Sequence, residues 1–160
     1  MDVLGTETYV ASARRGLTVG IWCYVEGTGS LEYIISKWGS GDSWRLVKNA
    51  SDYFTGRVYD GSDGMTAQIT TFSADTWYLY VLRFLAGTSQ EIFVSGVWAA
   101  SSDTAVASIN NGASDLTVGG SHGGSNLLTG RVAYPFMCAA YLSNVQIQAI
   151  YDQTRSLFGV

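Results

Sequence analysis

The chain has one proline and one histidine, two cysteines and four glutamates among 160 residues, and only 14% of it is charged. Each scarcity excludes something. Two cysteines are too few for a disulfide framework, and no cysteine–histidine cluster offers a zinc site. Cys23 and Cys138 sit in apolar runs and read as small core residues; a bridge between them is left open, since pairing geometry is not in a sequence. Basic residues number nine against thirteen acidic, for a net charge of −4. Arg14 and Arg15 are the only adjacent basic pair, so nucleic-acid binding by phosphate neutralisation is not expected. No apolar run reaches the roughly 18 residues of a membrane span, so no membrane partner is expected, and residues 1–7 carry no secretory signal pattern.

The same scarcities bear on catalysis. Glycoside hydrolysis needs two carboxylates across the scissile bond. Glu7, Glu26, Glu32 and Glu91 are far apart, and none has an aspartate two residues on. Asp60 and Asp63 lie in a glycine turn rather than on a strand. His122, flanked by residues 119–124 (GGSHGG), has no orienting partner nearby in sequence, as a triad would require, and reads as the tip of a hairpin. No lysine follows those glycines, so they form no phosphate loop. The chain is expected to be no enzyme.

What is abundant is glycine (19 residues), aromatic residues (13%) and β-branched side chains. Residues 17–25 (LTVGIWCYV) alternate: Leu17, Val19, Ile21, Cys23 and Val25 share one face, Trp22 and Tyr24 the other. Further strands are expected at 33–38, 44–48, 53–59, 66–72, 77–84, 91–95, 97–98, 116–118 and 130–137, separated by glycine-, asparagine- and aspartate-rich turns. Residues 101–114 read mainly as loop. Pro135 demands an edge position or a bulge in the last strand. Ser143 with Gln146 forms a capping box for one helix over 143–151. With 47% hydrophobic content this is one domain, 1–160, with peripheral tails at 1–8 and 153–160, and an all-β antiparallel two-sheet sandwich closed by one short helix.

The order and spacing of these segments carry a resemblance. Residues 17–25, 34–37 (IISK), 77–81 (WYLYV), 92–96 (IFVSG) and 130–151 match in sequence the strands and closing helix of the laminin-G-like, concanavalin A-like lectin jelly-roll family, in its branch of bacterial and phage modules. The likeness spans about residues 9–152. Two departures weaken transfer of a polar site: Ala133 where the family often has an acid, and Tyr78-Leu79 where it often has histidine. Residues 154–160 (TRSLFGV) are similar to the ends of jelly-roll modules on tailed-phage virion proteins.

The resemblance implies Trp22 and Trp77 as core residues. It further implies a non-catalytic virion-surface or extracellular module, a capsid decoration or tail-associated protein. Its partners would be capsid or tail protein, surface glycans, or both, and it would form a homo-oligomer on a particle. The alternative is a calcium-dependent carbohydrate-binding module; a glycoside hydrolase ranks last. Sugars stack on exposed aromatic rings, with carboxylates and amides bonding their hydroxyls. That directs the search for ligand contacts to aromatic and polar residues beside loops: Trp38, Asp42, Trp44, Tyr59, Asp60, Asp63, Trp98 and His122. No cofactor is required. Calcium, which takes about six to eight oxygens, is possible at the Asp60–Gly64 turn.

Overall fold

The computed structural model describes residues 16–160 except 28, 40, 62, 63, 70, 71 and 103–105, and gives only the backbone of 64–66. Among these residues, ten strands precede one α-helix. They are β1 (Gly16–Val25), β2 (Glu32–Lys37), β3 (Trp44–Lys48), β4 (Phe54–Tyr59), β5 (Gly64–Ile69), β6 (Trp77–Leu85), β7 (Ser89–Val94), β8 (Val97–Ser102), β9 (Thr117–Val118) and β10 (Gly130–Cys138). Helix α1 (Asn144–Thr154) continues into a 3-10 turn, Arg155–Phe158. One antiparallel sheet has the order β10-β1-β6-β7-β8, the other β5-β4-β3-β2-β9. This is the expected two-sheet jelly-roll sandwich.

The alternation of β1 does what its pattern dictates. Leu17, Val19, Ile21, Cys23 and Val25 are at most 2% exposed and enter the core between the sheets. There they meet Tyr80, Leu82 and Phe84 of β6, and Trp44, Leu46, Phe54 and Val58 of the opposite sheet. Burying each such side chain contributes on the order of 2 kcal/mol. Gln90, fully buried, joins the two sheets by accepting from the Val58 N–H (2.9 Å) and donating to the Gly56 carbonyl (2.6 Å).

β1 and β6 are apolar on their outer face as well, and α1 covers it. Trp22, Leu79, Val81 and Phe93 pack there with Ile147, the one buried residue of the helix. Ser143 caps α1 by accepting from the Gln146 N–H, while Gln146 accepts from the Ser143 N–H (2.8 Å). Arg83 pins the helix start, donating to the Leu142 carbonyl (2.7 Å) and Asn144 Oδ1 (2.9 Å) while paired with Glu91. The last residues are not loose: Phe158 stacks on Trp22 at 4.3 Å between ring centroids and tilts against Trp77 at 4.8 Å.

Both consequences expected of Pro135 are present. β10 is an edge strand, and its register against β1 shifts between Gly20 and Trp22, leaving Tyr134 and Pro135 in a bulge where Tyr134 takes φ +53°. Gly20 leaves room for Phe136, whose ring atoms would stand 2.3 Å from a Cβ at that position. Cys23 and Cys138 are both free. Cys138 pairs in register with Thr18, five residues along β1 from Cys23, about 17 Å at strand rise. That separation rules out a bridge.

Candidate functional site

The loops at one end of the β5-β4-β3-β2-β9 sheet are tied into a single surface. Asp42 closes the β2–β3 loop by accepting from the Gly39 N–H (3.0 Å), and its carbonyl accepts from the Asn110 amide (3.0 Å). Asn110 donates its backbone N–H to the Tyr59 carbonyl (2.8 Å), and Tyr59 donates its own to the Ser43 carbonyl (2.8 Å). Ser43 Oγ donates to the Asn110 carbonyl, and Lys37 reaches Asn111 Oδ1 at 3.3 Å. His122 packs over Gly39, where any Cβ would stand 2.7 Å from its own, and faces Asp115 at 3.9 Å. Asp115, Thr117, His122 and Leu127 line a shallow groove of about 610 Å³ here.

This end runs into the outer face of the sheet. Because Trp44, Leu46, Phe54 and Val58 point inward, the residues between them point outward. Arg45 and Arg57 are therefore neighbours, directly opposite each other across the β3–β4 ladder. The Trp38 ring lies 4.3 Å from the Arg45 guanidinium carbon and 5.3 Å from that of Arg57. Tyr59 stands 5.9 Å from Arg57 and 6.1 Å from Trp38, and Tyr33 accepts a 2.6 Å hydrogen bond from Arg45. Trp38, Arg45, Arg57 and Tyr59 are each partly exposed. The face continues into Tyr33, Val47 and Thr55, which are buried.

The residues proposed from sequence divide accordingly. Trp38, Asp42, Tyr59, Asp60 and His122 belong to this end of the sandwich. Asp60 is partly buried and already engaged, while Asp63 lies outside the described residues, as do Arg14, Arg15 and the tail 1–8. Trp44 must be removed from the set: it is 0% exposed in the inter-sheet core and presents no ring to a ligand, because it shares strand parity with Leu46. Trp98 is half-exposed but belongs to the other sheet, beside a groove of about 510 Å³ shared with Val97, Val145 and Gln148 of the helix side. Arg45, Arg57 and Tyr33 were not singled out. Their signal lay in the hairpin: a turn at 49–53 fixes a register in which 45 faces 57. Among the described residues no group of three histidine, cysteine or acidic side chains is placed to hold a metal.

No protein-family model matches the chain, and no curated protein matches it. Solved structures do. The receptor-binding domain of botulinum neurotoxin mosaic serotype C/D superposes with a TM-score of 0.70 at 12% identity, over 88% of this chain and 37% of that one. A candidate carbohydrate-binding protein from Bacteroides ovatus does so with a TM-score of 0.67 at 17% identity, over 87% of this chain and 41% of that one. The binding domain of botulinum neurotoxin DC in complex with SialylT gives 0.68 at 8% identity, over 88% and 36%. At these identities the likeness establishes the fold, a lectin-like jelly roll. The chain spans well under half the length of each of these structures.

Proposed function

We propose that this domain is a non-catalytic glycan-adhesion module whose sugar contacts lie on the Trp38–Tyr59 end of the sandwich. The observation that carries this reading is the pair of partly exposed rings, Trp38 and Tyr59, set over two guanidiniums and beside the Asp42–Asn110 loop rim. Aromatic faces supply stacking area, and the planar guanidiniums and loop amides supply the directional hydrogen bonds that sugar hydroxyls need. The similar structures include a candidate carbohydrate-binding protein and a binding domain in complex with SialylT. Three glutamates, Glu26, Glu32 and Glu91, are held by Arg131, Lys48 and Arg83 respectively, which suits a scaffold role better than acid–base work.

Glycan-array binding by the intact chain tests the reading. Trp38→Ala should lower apparent affinity for bound glycans at least about tenfold with an unchanged far-ultraviolet spectrum, in line with the roughly 1–3 kcal/mol of a stacked aromatic. Absence of binding to any glycan, or hydrolysis of a polysaccharide panel, would refute it. A chelator arm separates this reading from a calcium-dependent module. We further infer a particle-surface setting, with capsid or tail protein as the docking partner and a homo-oligomer as the assembled form. Its supports are the low charge and the phage-like closing segment. Virion genes on either side of the coding sequence, and co-sedimentation with particles, are its tests.

A further inference from the structure

We propose that Arg45 and Arg57 form an oxyanion subsite that takes the carboxylate or sulfate of an acidic sugar residue. This rests on the glycan reading and narrows it to anionic saccharides. Like charges directly opposite on neighbouring strands repel, so an Arg–Arg pair in register works against the sheet that carries it. The other described arginines are neutralised: Arg83 by Glu91, Arg131 by Glu26, Arg155 by Asp152. Arg45 and Arg57 pair with no carboxylate among the described residues. Their Nε atoms are buried without a hydrogen-bond partner. What surrounds them instead is aromatic, with Trp38 touching both, Tyr33 on one side and Tyr59 on the other.

A guanidinium presents Nε–H and Nη–H as a fork matched to a two-oxygen acceptor, and such bonds strengthen where water is scarce. One oxyanion bound at the Nη–H groups of both guanidiniums would cancel the repulsion. The guanidiniums are planar by delocalisation, the rings flank them, and Trp38 and Tyr59 leave a stacking surface for the sugar ring attached to that anion. A neutral glycan would gain the stacking and ordinary hydrogen bonds, without the charge-assisted pair.

The test is titration calorimetry of the intact chain. The ligands are a sialylated, a uronate-containing and a sulfated oligosaccharide, each beside its neutral counterpart, and sodium sulfate. The preferred charged ligand should bind at least tenfold tighter than its counterpart, with the margin shrinking as salt rises. Arg45→Gln and Arg57→Gln should each cut the ratio of charged to neutral affinity at least tenfold, while Arg57→Lys keeps part of that ratio. Without ligand both glutamine variants should melt no lower than the parent, since each removes a repulsion. A large drop in their melting temperature would mean that the guanidiniums hold the face together, and would overturn the assignment. Equal affinity for charged and neutral sugars, with Trp38→Ala abolishing both, would overturn the subsite and leave the glycan reading standing. Failure of the folded parent to bind any oligosaccharide would remove both. Sulfate binding as tightly as the sulfated oligosaccharide would overturn the sugar as occupant.

Discussion

Phe158→Ala tests whether the final residues belong to the folded domain. The side chain stacks on Trp22 with ring planes 21° apart and tilts against Trp77. Those two tryptophans, with Leu79, Val81, Phe93 and Ile147, form the second core, on the outer face of the β10-β1-β6-β7-β8 sheet. A fully buried phenylalanine truncated to alanine costs about 3–5 kcal/mol. Phe158 is only partly buried, so about half of that is expected, and loss of the ring stacking adds about 0.5–1.5 kcal/mol. The total is about 2–4 kcal/mol. With a urea m-value of about 1–3 kcal/mol/M, the midpoint should fall by about 1 M or more. Tryptophan fluorescence reports it directly, because Trp22 and Trp77 lose their cover. The native emission should also shift to the red, while Phe158→Leu restores most of the loss. A midpoint shift below about 0.2 M would refute the reasoning and return residues 155–160 to the status of a tail free to dock elsewhere.

Two further predictions concern the opposite end of the sandwich, where Lys48 lies fully buried between Glu32 (3.6 Å) and Asp52 (3.0 Å). Lys48→Met leaves the buried Glu32 carboxylate without its cation and should cost about 3–5 kcal/mol in urea unfolding, with part recovered in the Glu32→Gln/Lys48→Met double variant. A loss below about 1 kcal/mol would show that the cluster is hydrated. The Asp52 carboxyl is held below its ordinary range, first by the Gly29 backbone N–H it accepts and then by Lys48. A lowered folded-state value means that its contribution is present above the unfolded value, near 3.9, and is lost as pH falls through the folded one. Asp52→Asn should therefore flatten the acid side of a melting-temperature profile between about pH 6 and about pH 2. A profile of unchanged slope would contradict this.

The fold was legible because its strands follow period two over long stretches. β1 shows why: five inward residues of one parity fix the face that meets the second sheet. The Ser143–Gln146 capping box marked the start of the one helix, which covers the outer face of β1 and β6. Pro135 announced an edge or a bulge, and β10 has both. Two details were hidden. β8 extends to Ser102 because Ala100, Ser101 and Ser102 pair with Ile92, Glu91 and Gln90 of β7 without any strong strand signal of their own. β5 begins at Gly64 because the register of β4 places that residue opposite Tyr59, whatever its own propensity.

The site was only half legible, and the reason is parity. Closeness to a loop selected Trp38 and Trp44 equally, yet Trp44 alternates with Arg45 and so must face the core with Leu46. Applied to β3 and β4 together, the same alternation sends Arg45 and Arg57 outward. Read singly, an arginine between two apolar residues is an ordinary solvated position. Only the pairing shows that the two arginines face each other. A cross-strand coincidence of like charge is unfavourable for stability in isolation, and among the described residues what accompanies it is aromatic contact with Trp38, Tyr33 and Tyr59. A carboxylate from a neighbouring strand would have been the simplest neutraliser, and the described part of β2, β3 and β4 supplies none on that face: Ser36 stands opposite Arg45, Tyr33, Val47 and Thr55 occupy the next outward positions, and Glu32 is turned inward to Lys48. In the proposed subsite a ligand's oxyanion supplies that charge, and the proposal sets specificity on the outer face of this sheet more than in the glycine loops.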